Sequence, residues 1–396
     1  MSLNTLRRQI YNATCGLEAR LAPPRASQQP LAAHVDAAAD WVARAQDAHP
    51  GGGVAAYYDA PRKRWAADYP ETTGYLIPTC LTYAQRTRRD EFHRRALAMA
   101  YWECDIQLAS GAVRAGHMDA PVTVPTIFNT GQVLFGWAAA WQASHEPRFA
   151  ESLSRAAAWL VAVQDADGAW RRHASPFATY SVNTYNLRSA LGLLRAADVL
   201  DEPAYRVAAR ANIHWALTRM HANGWLEDND LEDNRRPLTH TLGYSLHALV
   251  EQALYFEDDV ALAGARRALR HLARAQRLDG GLAGRFDADW RPAARWDCLT
   301  GTVQLAHAWL LLAEHDRDVE LFETADRAIR FVAAAQATAH ALPGIRGAVA
   351  GSFPRRGGYM RGVYPNWAAK FFMDAAMARD DVAGTIWPAS HAGHSG

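Results

Sequence analysis

Apolar residues recur along the chain at intervals of three and four, in one segment after another from residue 31 onward. That spacing is the mark of amphipathic helices. It predicts a first set of helices over 31–48, 90–109, 147–165, 203–221, 258–277 and 318–337, and a second set over 71–87, 127–144, 182–200, 239–256, 298–314 and 365–379. No segment alternates convincingly enough to predict a strand. The first-set helices end in related signatures. WLVAVQDADGAW (159–170) is the fullest, and WVARAQ (41–46), WECDIQ (102–107), WALTRM (215–220), HLARAQRLDGGL (271–282) and FVAAAQ (331–336) repeat it. Self-similarity at a period of about 57 residues means an array of helical hairpins rather than a set of unrelated elements.

The connections fall into two classes. After each second helix the chain turns within a few charged residues, as in TRRDEF near 87 and LDEPAY near 200. After each first helix comes a long loop rich in Gly, Pro, Trp and Tyr, and long structured loops are where function concentrates. If alternate helices form inner and outer rings, all the long loops share one face, where the inner helices begin. Gly74, Gly131, Gly243 and Gly301 occupy one slot in four inner helices, which predicts close packing around an axis, since Gly otherwise weakens a helix. Polar Glu71, Asn129, Asn183, His240, Asp297 and Asn366 mark the inner-helix starts. Two readings stand: they cap the helices, or they face a pocket.

Composition changes little in this picture. Of 396 residues, 49% are hydrophobic and 21% charged, and the formal net charge is +1, so no global field selects nucleic acid or an anionic membrane. No apolar run is long enough to span a membrane. Cys15, Cys80, Cys104 and Cys298 are scattered, which fits a reducing compartment, and with no apolar leader the expected location is the cytoplasm. Residues 1–30 read as a helical arm and Pro-rich linker, 31–380 as the repeat domain and 381–396 as a tail. Oligomeric state leaves no trace in the sequence.

The all-α two-ring repeat resembles the (α/α)6 toroid, and Gln164, Asp167, Gly168 and Trp170 are similar to the QW repeat of the squalene-cyclase and prenyltransferase superfamily. Six-hairpin glycosidases, polysaccharide lyases and the helical domains of uronate epimerases use the same toroid. ARWDCLTGTVQL (294–305) and the YPETTGY segment (69–75) are similar to parts of uronate epimerases and of bacterial polysaccharide-cluster proteins. The Asp-x-Asp-Asp run that class II cyclases need is missing: DNDLEDN (228–234) does not match it. The zinc set of protein prenyltransferases is not matched either, because Asp297 and Cys298 adjoin but no His begins the sixth inner helix. Neither metal nor cofactor is expected.

Sugars present flat apolar faces rimmed with hydroxyls, and the predicted functional face pairs aromatic rings with carboxyl, amide and guanidinium groups. The expectation is a carbohydrate-active enzyme with an oligosaccharide or glycan substrate, hydrolysis ranking ahead of elimination or uronate epimerisation. A terpenoid cyclase or prenyltransferase-like enzyme and a non-catalytic glycan-binding protein are the alternatives. Hydrolysis needs two carboxyl groups across the scissile bond. Glu71 and Asp297 are the first pair, with Asp68, Glu227, Asp228, Asp230, Glu232 and Asp233 as substitutes, although the 227–233 run reads equally as a solvated loop. Proton abstraction beside a carboxylate would instead draw on His240, Tyr75 or Tyr244 as base. Arg188, Asn129, Asn183, Tyr185, Trp296, Asn366, Trp367 and Lys370 complete the expected substrate-binding set. Arg188, one turn into an inner helix, demands a partner, because burying a guanidinium unpaired is costly.

Overall fold

The computed structural model describes residue 24 and residues 27–387; the predicted arm over 1–22 and the end of the predicted tail lie outside these described residues. Twelve helices are present among them: α1 (Leu31–Gln46), α2 (Pro70–Thr87), α3 (Asp90–Ile106), α4 (Ile127–Ser144), α5 (Pro147–Ala162), α6 (Leu187–Leu200), α7 (Pro203–Thr218), α8 (Thr239–Phe256), α9 (Asp259–Ala275), α10 (Leu299–Asp316), α11 (Val319–Ala335) and α12 (Asn366–Ile386). The even-numbered helices pack on one another in order, and α12 returns to α2, so they close an inner ring. The odd-numbered helices pack outside them. This is the (α/α)6 toroid.

The predicted boundaries hold within about three residues, with two exceptions. A 3-10 turn (Thr184–Asn186) precedes α6, and α12 continues to Ile386. The expectation of no strand needs correcting. Short strands β1 (Tyr57–Asp59), β2 (Arg64–Trp65), β3 (Asp297–Cys298), β4 (Ser352–Phe353) and β5 (Val363–Pro365) form two antiparallel sheets, in the orders β2-β1-β5 and β3-β4. Tyr58 stands opposite both Trp65 and Tyr364, and Asp297 opposite Phe353. Long loops crowded on one rim satisfy their backbone groups by pairing with each other, over stretches too short to show alternation.

The repeated signature is a staple between neighbouring outer helices. Gln164 Nε2 donates to the carbonyl of Gly168 in its own turn and to that of Ala208 on α7, both at 3.0 Å. Gln46, Gln107 and Gln276 do the same to Gly52 and Arg95, Gly111 and Ser152, and Gly280 and Thr324. Gln336 donates to Gly347 and to His34 on α1, which closes the outer ring. The fourth copy has Met220, whose sulfur packs on Gly264. Fully buried Trp309 and Trp137 tie the rings together, donating to Leu269 O on α9 (2.9 Å) and Ala100 O on α3 (3.4 Å).

The glycine slot marks contact between inner helices, as expected. A Cβ on Gly131 would sit 2.5 Å from Ser189 Cα, and one on Gly301 2.4 Å from the backbone of Thr239. Capping fails as the explanation for the polar inner-helix starts. The caps of α2, α4, α8 and α12 make no side-chain bond, and at α10 the acceptor is the Cys298 thiol. Capping carboxylates sit instead on outer helices: Glu202, Asp258 and Asp318. The polar residues at the inner starts are therefore available for other roles.

Candidate functional site

Where the inner helices begin, the loops surround a cavity of about 210 Å³. Its walls carry Glu71 from α2, Phe128 and Asn129 from α4, Tyr185 from the 3-10 turn, and His240, Thr241 and Tyr244 from α8. Trp367 from α12 and Tyr69, Ser175, Phe177, Leu231, Leu238, Tyr359 and Met360 from loops or helix caps complete it. Phe128 meets Tyr185 and Tyr244 edge to face at 5.1 and 4.9 Å, and His240 lies tilted against Tyr244 at 4.5 Å and Tyr359 at 5.1 Å. Trp367 Nε1 donates to the Tyr359 hydroxyl at 2.8 Å. Phe177, 57% exposed, stands at the mouth.

Two titratable groups on this wall are suited to proton transfer. Burial pushes Glu71 up to about 7, although the Tyr69 hydroxyl, which donates to Oε2, pulls the other way. Burial likewise lowers His240 to about 4, opposed by its hydrogen bond to Gln304. Gln304 Oε1, an acceptor, lies 2.8 Å from Nδ1. Read from that hydrogen bond, the ring proton sits on Nδ1 and the free lone pair on Nε2. At neutral pH the cavity thus holds a carboxyl close to half-protonated and a neutral imidazole.

Six expected site residues meet here: Glu71, Asn129, Tyr185, His240, Tyr244 and Trp367. Asn129 also donates to Arg114 O at 2.9 Å and holds the preceding loop against α4. Tyr75, Arg188 and Lys370 do not reach this cavity. They line a second, smaller chamber one layer deeper on the ring axis. Tyr75, Tyr244 and His240 pack around Phe371 at 5.5, 5.7 and 6.4 Å, forming a floor between the two spaces.

Four expectations are corrected. Asp297 does not line the cavity; Arg277 grips its two oxygens at 2.6 and 2.8 Å. Burial holds Asp297 above the usual carboxylate range and Arg277 opposes this. The Glu71–Asp297 pair is therefore not assembled across the pocket. Trp296 packs behind the wall with Leu238, Cys298 and Tyr359. Asn183 lies buried in the loop, with Tyr180 O 3.3 Å from its amide, and Asn366 ties down Ala55 O and Thr72. These asparagines order backbone instead of facing a ligand.

Among the substitute carboxylates, Asp68, Glu227, Asp228, Asp230 and Asp233 are also engaged. Asp230 is fully buried and accepts the backbone N–H groups of Leu238, Glu232 and Asp233 at 2.7–2.9 Å. The 227–233 run is thus an ordered brace to the start of α8, not a solvated loop. Asp68 pairs with His49, and Glu227 with Arg219 and His221.

Phe128 and Thr241 carried no signal before folding. In the deeper chamber, His247, Glu251 and Asp374 did carry one: they continue, at offsets of four and seven, the polar stripe of His240 on α8 and Lys370 on α12.

No family model matches the sequence, and no curated protein matches it. Solved structures do match in shape. An unsaturated glucuronyl hydrolase specific for heparin superposes with a TM-score of 0.71 at 14% identity, over 89% of this chain and 97% of its own. A D-mannose isomerase gives 0.70 at 13% identity, over 91% and 99%. A cellobiose 2-epimerase from Bacillus thermoamylovorans gives 0.68 at 11% identity, over 85% and 95%. At these identities the likeness concerns the fold, the (α/α)6 toroid.

Proposed function

We propose that the protein is a carbohydrate-active enzyme that performs acid–base chemistry on one neutral sugar unit, with Glu71 as proton donor and His240 as proton acceptor. The observation that carries this reading is the pairing of a carboxyl raised to about 7 with a neutral imidazole on one tyrosine-walled cavity. The flat apolar surfaces of the cavity's Tyr, Phe and Trp rings suit the apolar faces of a pyranose. Asn129, Thr241, Ser175 and the tyrosine hydroxyls suit its rim. The carboxyl, amide, imidazole and hydroxyl of Glu71, Asn129, His240 and Thr241 among those rings speak against a wholly apolar isoprenoid substrate.

Among the described residues, Glu71 is the single carboxyl on the cavity wall, and no Arg or Lys lines it. The absence of a cation favours a neutral sugar over a uronate. The absence of a second carboxyl favours proton transfer at a sugar carbon over two-carboxylate hydrolysis. The glucuronyl hydrolase, mannose isomerase and cellobiose epimerase that share the fold all act on saccharides by name. At about 210 Å³ the cavity lies below the roughly 300–1,000 Å³ of drug-sized pockets, so it suits one ring. No helix among the described residues is long and apolar enough to cross a membrane. Cys80, Cys104 and Cys298 are unpaired, in keeping with a cytoplasmic location.

The test is incubation with neutral aldoses and disaccharides in deuterium oxide, followed by proton NMR. Deuterium at the carbon next to the carbonyl, with formation of an epimer or ketose, is expected from the wild type and absent from Glu71→Gln. New reducing ends without deuterium uptake would replace this reading with hydrolysis. Turnover of unsaturated uronides alone would refute the neutral-sugar assignment.

A further inference from the structure

The deeper chamber has a volume of about 120 Å³ and draws its walls from all six inner helices. Its charges do not balance. Arg195 pairs with Glu251, and Lys370 pairs with Asp374, which also accepts from Thr79 at 2.7 Å. That leaves Arg188, only 5% exposed. Its Nε donates to Gln132 Oε1 at 3.1 Å and its Nη1 lies 3.3 Å from His247 Nδ1. The rings of Phe135, Phe371 and Tyr244 surround the guanidinium at 4.8, 5.5 and 5.7 Å. No carboxylate among the described residues reaches it, and its Nη2 makes no hydrogen bond.

Burial holds His247 and His307 below the ordinary imidazole range, so neither adds nor removes charge at neutral pH. Three cations therefore face two carboxylates, and the excess resides on a guanidinium shielded from bulk water. A buried ion without a counter-ion is strongly disfavoured. Cation–π contact with three rings offsets part of that cost but leaves the Nη2 donor unanswered. His307 also lines the chamber without a hydrogen bond among the described residues. Toward the face opposite the loops the wall is the Arg195–Glu251 pair, whose side chains are 39% and 20% exposed.

We propose that this chamber binds one small inorganic anion, a halide or a compact oxyanion, against Nη2 of Arg188, with Lys370 and His307 as neighbouring donors. The anion completes the charge balance of the inner ring beneath the floor of the upper cavity. It is separate from the sugar, because Phe371, Tyr75 and Tyr244 lie between the two spaces.

Thermal unfolding of the wild type would be followed while chloride, bicarbonate or phosphate replaces a bulky sulfonate buffer anion at constant ionic strength. A ligand that binds only the folded state raises Tm with the logarithm of its concentration above Kd. The expected result is such a rise for one anion class, which identifies the occupant. It should be lost in Arg188→Gln, and also in His307→Trp, which fills the chamber and leaves every charge in place. Crystals soaked in bromide should show anomalous density beside Arg188. A Tm that depends on ionic strength alone, or an unchanged anion response in His307→Trp, would overturn the proposal. Should Arg188→Gln not fold, the wild-type bromide map and His307→Trp still decide the matter.

Discussion

Glu71 combines a functional and a thermodynamic role, and the two can be separated. Its carboxyl titrates near 7 in the fold against an ordinary value of 4.5, so between those values the folded state binds more protons than the unfolded one. Stability attributable to Glu71 is then complete below pH 4.5 and is lost as pH rises through 7, by about 3 kcal/mol in total. Glu71→Gln should flatten this decline in denaturant midpoints measured from pH 5 to 8, while abolishing turnover. His240 has the opposite sign. Its folded value near 4 lies below the ordinary 6.5, so its contribution is present above 6.5 and lost on acidification. Together they predict a bell-shaped kcat/KM with limbs near 4 and 7. A flat profile across pH 5–9 would exclude Glu71 as the acid, and the absence of an acid limb between pH 3 and 5 would exclude His240 as the base. Asp297 makes a contrasting prediction. Because Arg277 occupies both its oxygens, Asp297→Asn should cost about 1–3 kcal/mol of stability yet retain turnover under conditions where it remains folded.

The helices were legible because each buries one stripe, and burial imposes a period that survives in sequence. The glycine slot was legible for a related reason: only a missing side chain lets two inner helices approach this closely. Gly131→Ala would push a methyl to 2.5 Å from Ser189 Cα and should destabilise by about 1–3 kcal/mol, seen as a lower chemical-denaturation midpoint with unchanged m-value. The short strands were not legible, since two or three residues cannot display alternation and their partners lie far away in sequence: β1 pairs with β5 some three hundred positions later. The same limit applies to the loop at 227–233. Its charges look solvated in isolation and become a brace only when Asp230 meets the backbone of Leu238.

Ring closure links these elements into one cooperative object. Gln336 joins the last outer helix to the first through His34 O at 3.0 Å and to Gly347 O at 2.8 Å. Gln336→Ala leaves both carbonyls without that donor and should cost about 1–3 kcal/mol. Met220 holds the corresponding place in the fourth repeat, against Gly264, with Gly224 at the same four-residue offset that separates Gln164 from Gly168. Met220→Gln should restore the missing staple and stabilise by about 0.5–1.5 kcal/mol; thermal melts of the variant beside wild type measure the difference, and a loss of stability would show that the fourth turn has diverged in backbone as well as in side chain.

What the chain determined unaided was its period: twelve helices, their alternation between rings, the rim where long loops gather, and the staple that recurs with each outer helix. These follow from local spacing, because the same burial requirement acts on each hairpin in turn. Which polar residues meet was decided only by the tertiary structure. Glu71 and Asp297 look equivalent in sequence, both at inner-helix starts, yet one turns to the cavity beside Tyr69 and the other to Arg277 behind the wall. Arg188 and His240 likewise belong to one rim in sequence and to different chambers in space. A helix start fixes the position of a residue around and along the ring, but the direction of its side chain, and hence its partner, depends on neighbours contributed by other repeats.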